Sequence, residues 1–385
     1  MRSQNATPSA SRGFSPRGTA SSERSREGNV ETIKVGAASR SYEVLVGTGI
    51  LDRLGEFVRA STGCSRCCVI TESTVGPLYA DAAEDALLAS GLDVAPRLTF
   101  TAGESSKTLA TLGMLLEGLA ERELTRDDVV IALGGGVTGD MGGLAAALYL
   151  RGIRVVQVPT SLLAMVDSSV GGKTAVDLMA GKNLVGAFWQ PSLVVADVST
   201  LSTIPGDLFR DSCGEVVKHA VLADPTLLVE LERSPLTAAG VDRLASVVAR
   251  NVSIKRDVVS ADERERGLRQ TLNLGHTIGH AIEAAGDFSL GHGSCVAAGL
   301  CMIARAAACR GWCSADTAER IERCAEAHGL PTSTALPTET LMRYVAHDKK
   351  RHGDSVNIVV PLEVGRCEVR TVDLDELRCL IDLGR

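Results

Sequence analysis

Three of the chain's seven histidines, His276, His280 and His292, fall within one window of seventeen residues, in the stretch TLNLGHTIGHAIE (271–283) and the following GHG (291–293). That grouping is typical of metal chemistry. On a helix, His276 and His280 stand at i, i+4 and can grip one zinc ion, and Asn273 and Glu283 share their face. A lone histidine more often caps or packs, but three beside the apolar run from Cys295 to Ala308 point to ligand chemistry.

A second candidate chemistry is phosphate binding. DVVIAL (128–133) runs directly into GGGVTGD (134–140) and an alanine-rich segment. Strand, glycine turn and helix start would bring backbone N–H groups to a pyrophosphate at the positive end of a helix. Gly134, Gly136 and Gly139 spell GxGxxG, a pattern that an ordinary tight turn also produces. A standard dinucleotide unit places an acid at the end of the next strand, whereas this one ends Val158-Pro159-Thr160, so a dinucleotide would be held differently. Glu104 and Lys107, in TAGESSK (101–107), could offer a carboxylate to ribose and an ammonium to phosphate. They could equally be a solvated helix start.

A third group is cationic. VDSSVGGKT (166–174) and GKN (181–183) place Lys173, Lys182 and Asp167 in glycine-rich loops beyond a strand end, suited to a phosphate or carboxylate. GGKT resembles the end of a P-loop, but Asp167 occupies the position of its first glycine, which excludes a nucleotide triphosphatase. Glu215 and Lys218 stand at i, i+3 in an apolar helix, and Glu215 is either paired with that lysine or the oxygen ligand that a two-histidine site lacks. Lys255, Arg269, Lys349 and Lys350 add further cations.

The elements that must position these groups follow from the hydrophobic pattern. Strand-like segments near 42–46, 68–71, 98–100, 129–133 and 155–158 alternate with helical ones at 77–90 and 109–122, which predicts a doubly wound, mostly parallel sheet. After about Pro205 helical periodicity dominates, through 208–222, 241–259, 268–285, 295–310 and 315–327, with one late strand near 356–360. The expected organisation is a disordered tail over 1–29, an α/β domain over 30–205 and a mainly α-helical domain over 206–385. The tail is rich in Ser, Arg, Gly and Ala and shows no apolar periodicity. Its composition is also that of an organelle transit peptide, although no amphipathic stripe supports one.

Composition narrows the partners. A formal charge of −7 and a pI near 5.6 argue against a nucleic-acid or anionic-membrane surface. The longest uncharged apolar run, 293–304, is too short to span a bilayer. Eleven scattered cysteines do not make a disulfide framework, and the CxxC of Cys64 and Cys67 reads as packing rather than zinc or redox chemistry.

Taken together, GGGVTGD, QVPTSLLAMVDSSVGGKTAVD, GKNLVGAFWQP, GEVVKH, ADERERGLRQTLNLGHTIGHAIE and HDKK resemble the 3-dehydroquinate synthase family, from about Val30 to the C-terminus. The resemblance implies a Rossmann-like NAD-binding domain, a helical domain and an active site between them. It implies conversion of 3-deoxy-D-arabino-heptulosonate 7-phosphate to 3-dehydroquinate by transient NAD oxidation, β-elimination of phosphate, re-reduction and aldol closure. Glu215, His276 and His292 are the implied ligands of a divalent metal, zinc or cobalt, with His280 left in the substrate pocket. For NAD it points to Glu72, Glu104, Lys107, Gly135, Gly136, Asp140, Thr160, Ser161, Thr200 and Thr203, with Lys173, Lys182 and Asn183 nearby. Substrate contacts fall on Arg151, Asp167, Lys173, Lys182, Asn183, Lys218, Lys255, Arg269, Asn273 and the pair Lys349 and Lys350. A homodimer and a cytoplasmic location are usual for the resemblance. Ser294 departs from it, standing where the family reads Glu after His-Gly, which implies a changed metal shell. Rival readings are a sister sugar-phosphate cyclase, a catalytically silent NAD-binding paralogue, and a metal-dependent alcohol dehydrogenase of related fold.

Overall fold

The computed structural model describes residues 13–14, 24–27, 29–265, 267–286, 290–345, 351–352 and 355–385. In chain order the first elements are β1 (Gly13–Phe14), β2 (Arg24–Glu27), β3 (Val30–Gly36), β4 (Ser41–Gly47), α1 (Leu54–Thr62), β5 (Arg66–Glu72), α2 (Asp81–Ala89), β6 (Asp93–Phe100), α3 (Leu109–Glu121), β7 (Val129–Gly134), α4 (Gly136–Leu148), β8 (Arg154–Pro159), β9 (Lys173–Leu178), β10 (Gly181–Phe188) and β11 (Leu193–Asp197). There follow α5 (Gly206–Ala223), α6 (Pro225–Arg233), α7 (Val241–Ala261), α8 (His276–Ala285), α9 (His292–Cys309), α10 (Ala315–Ala327), α11 (Thr338–Val345), β12 (Arg351–His352), β13 (Ser355–Glu363), β14 (Arg366–Asp373) and α12 (Leu374–Leu383). Two compact units divide the described residues. A sheet unit takes Gly18–Val216 with Leu236–Arg264, and a helical unit takes Met1–Arg17, Val217–Pro235 and Glu265–Arg385.

The sheet unit is built on eight strands in the order β2-β3-β4-β11-β8-β7-β5-β6. Every neighbouring pair from β4 to β6 is parallel, and β2 and β3 add an antiparallel edge. The reason is visible in β7: Val129, Ile131 and Leu133 pack on one face with Leu54, Val58 and Leu87, while Val130 and Ala132 pack on the other with Leu115, Leu119 and Met141. A strand buried on both faces needs helices on both, which right-handed crossovers supply.

Two expectations are corrected here. Of the tail, Arg24–Glu27 is not disordered but pairs antiparallel with β3; the reading of the rest, apart from β1, falls outside the described residues. Lys173, Lys182 and Asn183 do not lie in open loops but on the antiparallel hairpin β9–β10, whose alternating Thr174 and Val176 are buried.

In the helical unit, α9 is the core helix, packed by α8, α10, α12 and β13. By length and composition it could cross a membrane, with mean hydropathy 1.3, but 72% of that stretch is buried within the fold. The unit also carries an antiparallel sheet, β1-β14-β13-β12, where only one strand near 356–360 was legible. All eleven cysteines are free thiols. Cys64, Cys67 and Cys68 are all buried, and burial pushes the Cys67 thiol up to about 12 and Cys68 to about 11, which suits a packing role.

Candidate metal and cofactor sites

The histidine stretch is not one continuous helix. Leu268–Asn273 forms a 3-10 turn, and α8 begins only after Gly275, whose φ of 78° takes the left-handed conformation that glycine tolerates. Asn273 is thus off the helix that carries His276 and His280, and its amide donates to Glu265 Oε1 at 2.8 Å. The break exists because backbone meets backbone there. A Cβ on Gly275 would stand 2.7 Å from Val296 O and 2.9 Å from Leu300 N, one on Gly279 would stand 2.9 Å from Cys295 O, and one on Gly299 would stand 2.7 Å from Gly279 N. Glycines at 275, 279 and 299 let α8 and α9 approach closely enough for their histidines to meet.

They do meet. Ring centroids are 5.1 Å apart for His276 and His280, 5.4 Å for His276 and His292, and 5.8 Å for His280 and His292. One ligand nitrogen from each lies within 4.8 Å of the others. A divalent ion with bonds of about 2.0–2.1 Å to imidazole nitrogen can draw such a set together, and imidazole suits zinc and its neighbours. Two rings are already oriented: His276 Nδ1 lies 3.2 Å from the carbonyl of Leu274, and His292 Nδ1 lies 3.2 Å from Glu283 Oε2. The donor set therefore fits a metal. Glu215 and Lys218 are buried one turn apart on α5, with Glu215 in the sheet unit and the histidines in the helical unit. Arg269 is buried in the 3-10 turn, and Lys349 and Lys350 lie outside the described residues.

In the sheet unit, parallel strands bring their carboxyl ends to one edge, where open α/β sheets bind ligands. Glu72 ends β5, Gly134 ends β7, Thr160 follows β8 and Asp197 ends β11. Glu72 accepts from the amides of Thr74 at 2.5 Å and Val75 at 2.9 Å. Gly135 caps α4 without a side-chain bond to its first turn, which leaves those amides to an anion such as a pyrophosphate. Thr160 N donates to Gly134 O at 3.0 Å, holding that turn shut, and Ser161 Oγ accepts from Ala164 N at 3.3 Å. Backbone, glycine and carboxylate at this edge fit a dinucleotide.

Lys107 ties this edge to the hairpin. Its buried Nζ lies 2.6 Å from Asp140 Oδ2, 2.6 Å from Asn183 Oδ1 and 3.9 Å from Glu104 Oε1, and its carbonyl accepts from Asp177 N at 2.8 Å. Lys182 lies 3.7 Å from the same Glu104 oxygen. Burial pushes the Asp140 carboxyl up to about 6, with the Lys107 charge pulling it back. Lys255 Nζ pairs with Asp167 Oδ1 at 2.6 Å. Arg151 is exposed after a strained turn in which Leu150 and Arg151 take φ of 49° and 67°.

Sequence reasoning missed Tyr79. Its hydroxyl lies 2.6 Å from Thr203 Oγ1 and donates to the carbonyl of Thr200 at 3.0 Å, although the residues are more than 120 positions apart. No local pattern carries that contact.

The chain is similar to known proteins over most of its length. Residues 97–211 match the 3-dehydroquinate synthase N-terminal family and residues 212–351 the 3-dehydroquinate synthase C-terminal family. A 3-dehydroquinate synthase from Geobacter metallireducens is 43% identical over 361 residues, covering 92% of this chain and 100% of that protein. One from Symbiobacterium thermophilum is 45% identical over 334 residues, covering 85% and 93%. Among solved structures, a 2-deoxy-scyllo-inosose synthase complexed with carbaglucose-6-phosphate, NAD+ and Co2+ aligns with TM-score 0.80 and 25% identity, covering 91% of this chain and 99% of that one. With these matches running nearly end to end, the chain belongs to the 3-dehydroquinate synthase family.

Proposed function

We infer that this chain is a 3-dehydroquinate synthase of the shikimate pathway, converting 3-deoxy-D-arabino-heptulosonate 7-phosphate to 3-dehydroquinate and phosphate with NAD and a divalent metal, zinc or cobalt. The carrying observation is the 43% identity to a curated synthase over that protein's whole length. NAD supplies a hydride acceptor that is regenerated within the cycle, and the metal supplies a Lewis acid.

The residue roles are our reading, supported by the family resemblance and by the geometry within each unit. Glu215, His276 and His292 hold the metal. His280 holds or moves a proton at the substrate, where a positioned imidazole is worth about 10²–10⁴ in rate. Glu72, Thr200 and Thr203 serve the adenosine end of NAD, with Tyr79 orienting the threonines. Gly135, Gly136, Thr160 and Ser161 serve the pyrophosphate, and Glu104, Lys107 and Asp140 the remainder. Arg151, Lys173, Lys182, Asn183, Lys218 and Lys255 hold the phosphate and hydroxyls, with Asp167 fixing Lys255. Arg269 and Asn273 hold the carboxylate end, along with Lys349 or Lys350. Such clamps keep a flexible intermediate oriented for ring closure. In a chain of net charge −7, they create a local positive field for an anionic substrate.

A second reading is a sister cyclase acting on another heptulose phosphate, since synthases that close a different sugar phosphate, the 2-deoxy-scyllo-inosose synthases, share this fold with TM-scores of 0.80 and 0.82. Arg269 and Asn273 argue for the acid-bearing substrate. The test is a coupled assay of dehydroquinate and phosphate formation, with and without chelator and added NAD. Turnover of sedoheptulose 7-phosphate in place of the heptulosonate would overturn the assignment. We also read the chain as a cytoplasmic homodimer, which light scattering on the purified protein and cell fractionation would check.

A further inference from the structure

Glu283 lies at i+7 from His276 and i+3 from His280, in the last turn of α8, and its side chain is 9% exposed. The location is unfavourable for an acid on two counts: the carbonyl end of a helix opposes negative charge, and burial removes the water that would solvate it. A carboxylate held there needs a strong local partner. The structure supplies His292, the first residue of α9, whose Nδ1 is 3.2 Å from Glu283 Oε2. With Nδ1 turned to a carboxylate, Nε2 is the nitrogen left for a metal, and the His292 ring centroid lies 5.4 Å from that of His276 and 5.8 Å from that of His280.

We propose that Glu283 is a positioning residue for the metal site, fixing His292 as an Nε2 ligand and raising its basicity through the Nδ1–H bond. The proposal rests on the reading of His292 as a ligand. It explains why two histidines reach the cluster with their Nδ1 atoms occupied by different acceptors, His276 by the carbonyl of Leu274 and His292 by a charged side chain. A backbone carbonyl cannot be substituted away, whereas the carboxylate can be.

The test uses the full chain, stripped of metal by chelator and titrated with Co2+ while the visible absorption of the bound ion is followed. Glu283→Ala should weaken Co2+ binding by about 10- to 100-fold and shift the absorption bands, since outer partners of metal-bound histidines carry effects of that size. Glu283→Gln keeps an accepting oxygen without the charge and should lose several-fold, between wild type and alanine. A purely structural glutamate would change the thermal midpoint and leave the spectrum alone. His292→Ala separates the two levels of the argument. If it binds Co2+ as wild type does, the ligand reading itself falls. If it loses Co2+ while folded Glu283→Ala and Glu283→Gln keep wild-type affinity and spectrum, the Glu283 proposal alone is overturned. Should the alanine variant fail to fold, Glu283→Gln decides by the same two readouts.

Discussion

The Cβ that Gly275 lacks would stand 2.7 Å from the carbonyl oxygen of Val296, so the turn before α8 and the body of α9 meet through bare backbone. Alanine at Gly275 or Gly299 must therefore push the helices apart. Each substitution should destabilise the protein by about 1–3 kcal/mol by overpacking, and Gly275→Ala by more because of its positive φ. Both should also weaken metal binding, since the histidines ride on these two helices. Gly113→Ala in α3 is the contrast, because nothing lies within 4 Å of its added methyl; it should gain about 0.5–1 kcal/mol. Urea midpoints for the three variants, with Co2+ titrations, check the set.

The histidines should separate by function. His276→Ala is expected to lose the metal, while His280→Ala is expected to retain it and lose about 10²- to 10⁴-fold in turnover. Atomic absorption on the purified variants, set beside phosphate release, measures both. Metal lost equally from the two would merge their roles.

Asp140 should leave a mark on stability against pH. Its folded value of about 6 stands above the ordinary 3.8, so between these values the native chain holds a proton that the unfolded chain has released. The contribution of this group is therefore greatest at low pH, falls as pH rises from about 4 to 6, and is flat above. Subtracting the urea midpoint of Asp140→Asn from that of wild type across this range should give a declining curve.

Asp197, at the end of β11, accepts from Gly49 N at 2.9 Å, Leu51 N at 2.8 Å, Ser199 N at 3.0 Å and Ser199 Oγ at 2.6 Å. Asp197→Ala would strand those donors in a site that is 2% exposed. A loss on the order of 3 kcal/mol is expected, from the desolvation of unpaired amides. Denaturant unfolding reads it directly.

Legibility in the sequence followed the range of the interaction. The central strands and the long helices could be read because burial on one or both faces writes a local period. The β9–β10 hairpin was misread as loops because its glycines and lysines mask a short alternation, with only Thr174 and Val176 buried in β9. The helix across 268–285 was broken by Gly275, and what requires that glycine is the approach of Val296 and Leu300, which no window around 275 contains. The histidine group was visible because its members are close in sequence. The contacts of Lys107 with Asn183 and of Tyr79 with Thr203 were not, because folding alone makes them neighbours.

Of the eleven thiols, eight are buried, Cys313 and Cys379 are half-buried, and Cys309 is exposed at the last residue of α9. Burial pushes Cys301 and Cys324 up to about 12, which keeps them protonated and slow toward alkylating reagents. The helix that begins with His292 thus ends in an accessible thiol, seventeen residues and about 26 Å along its axis. A nitroxide attached at Cys309 and a paramagnetic ion among the histidines would form a built-in ruler, whose length is set by the rise of a single helix.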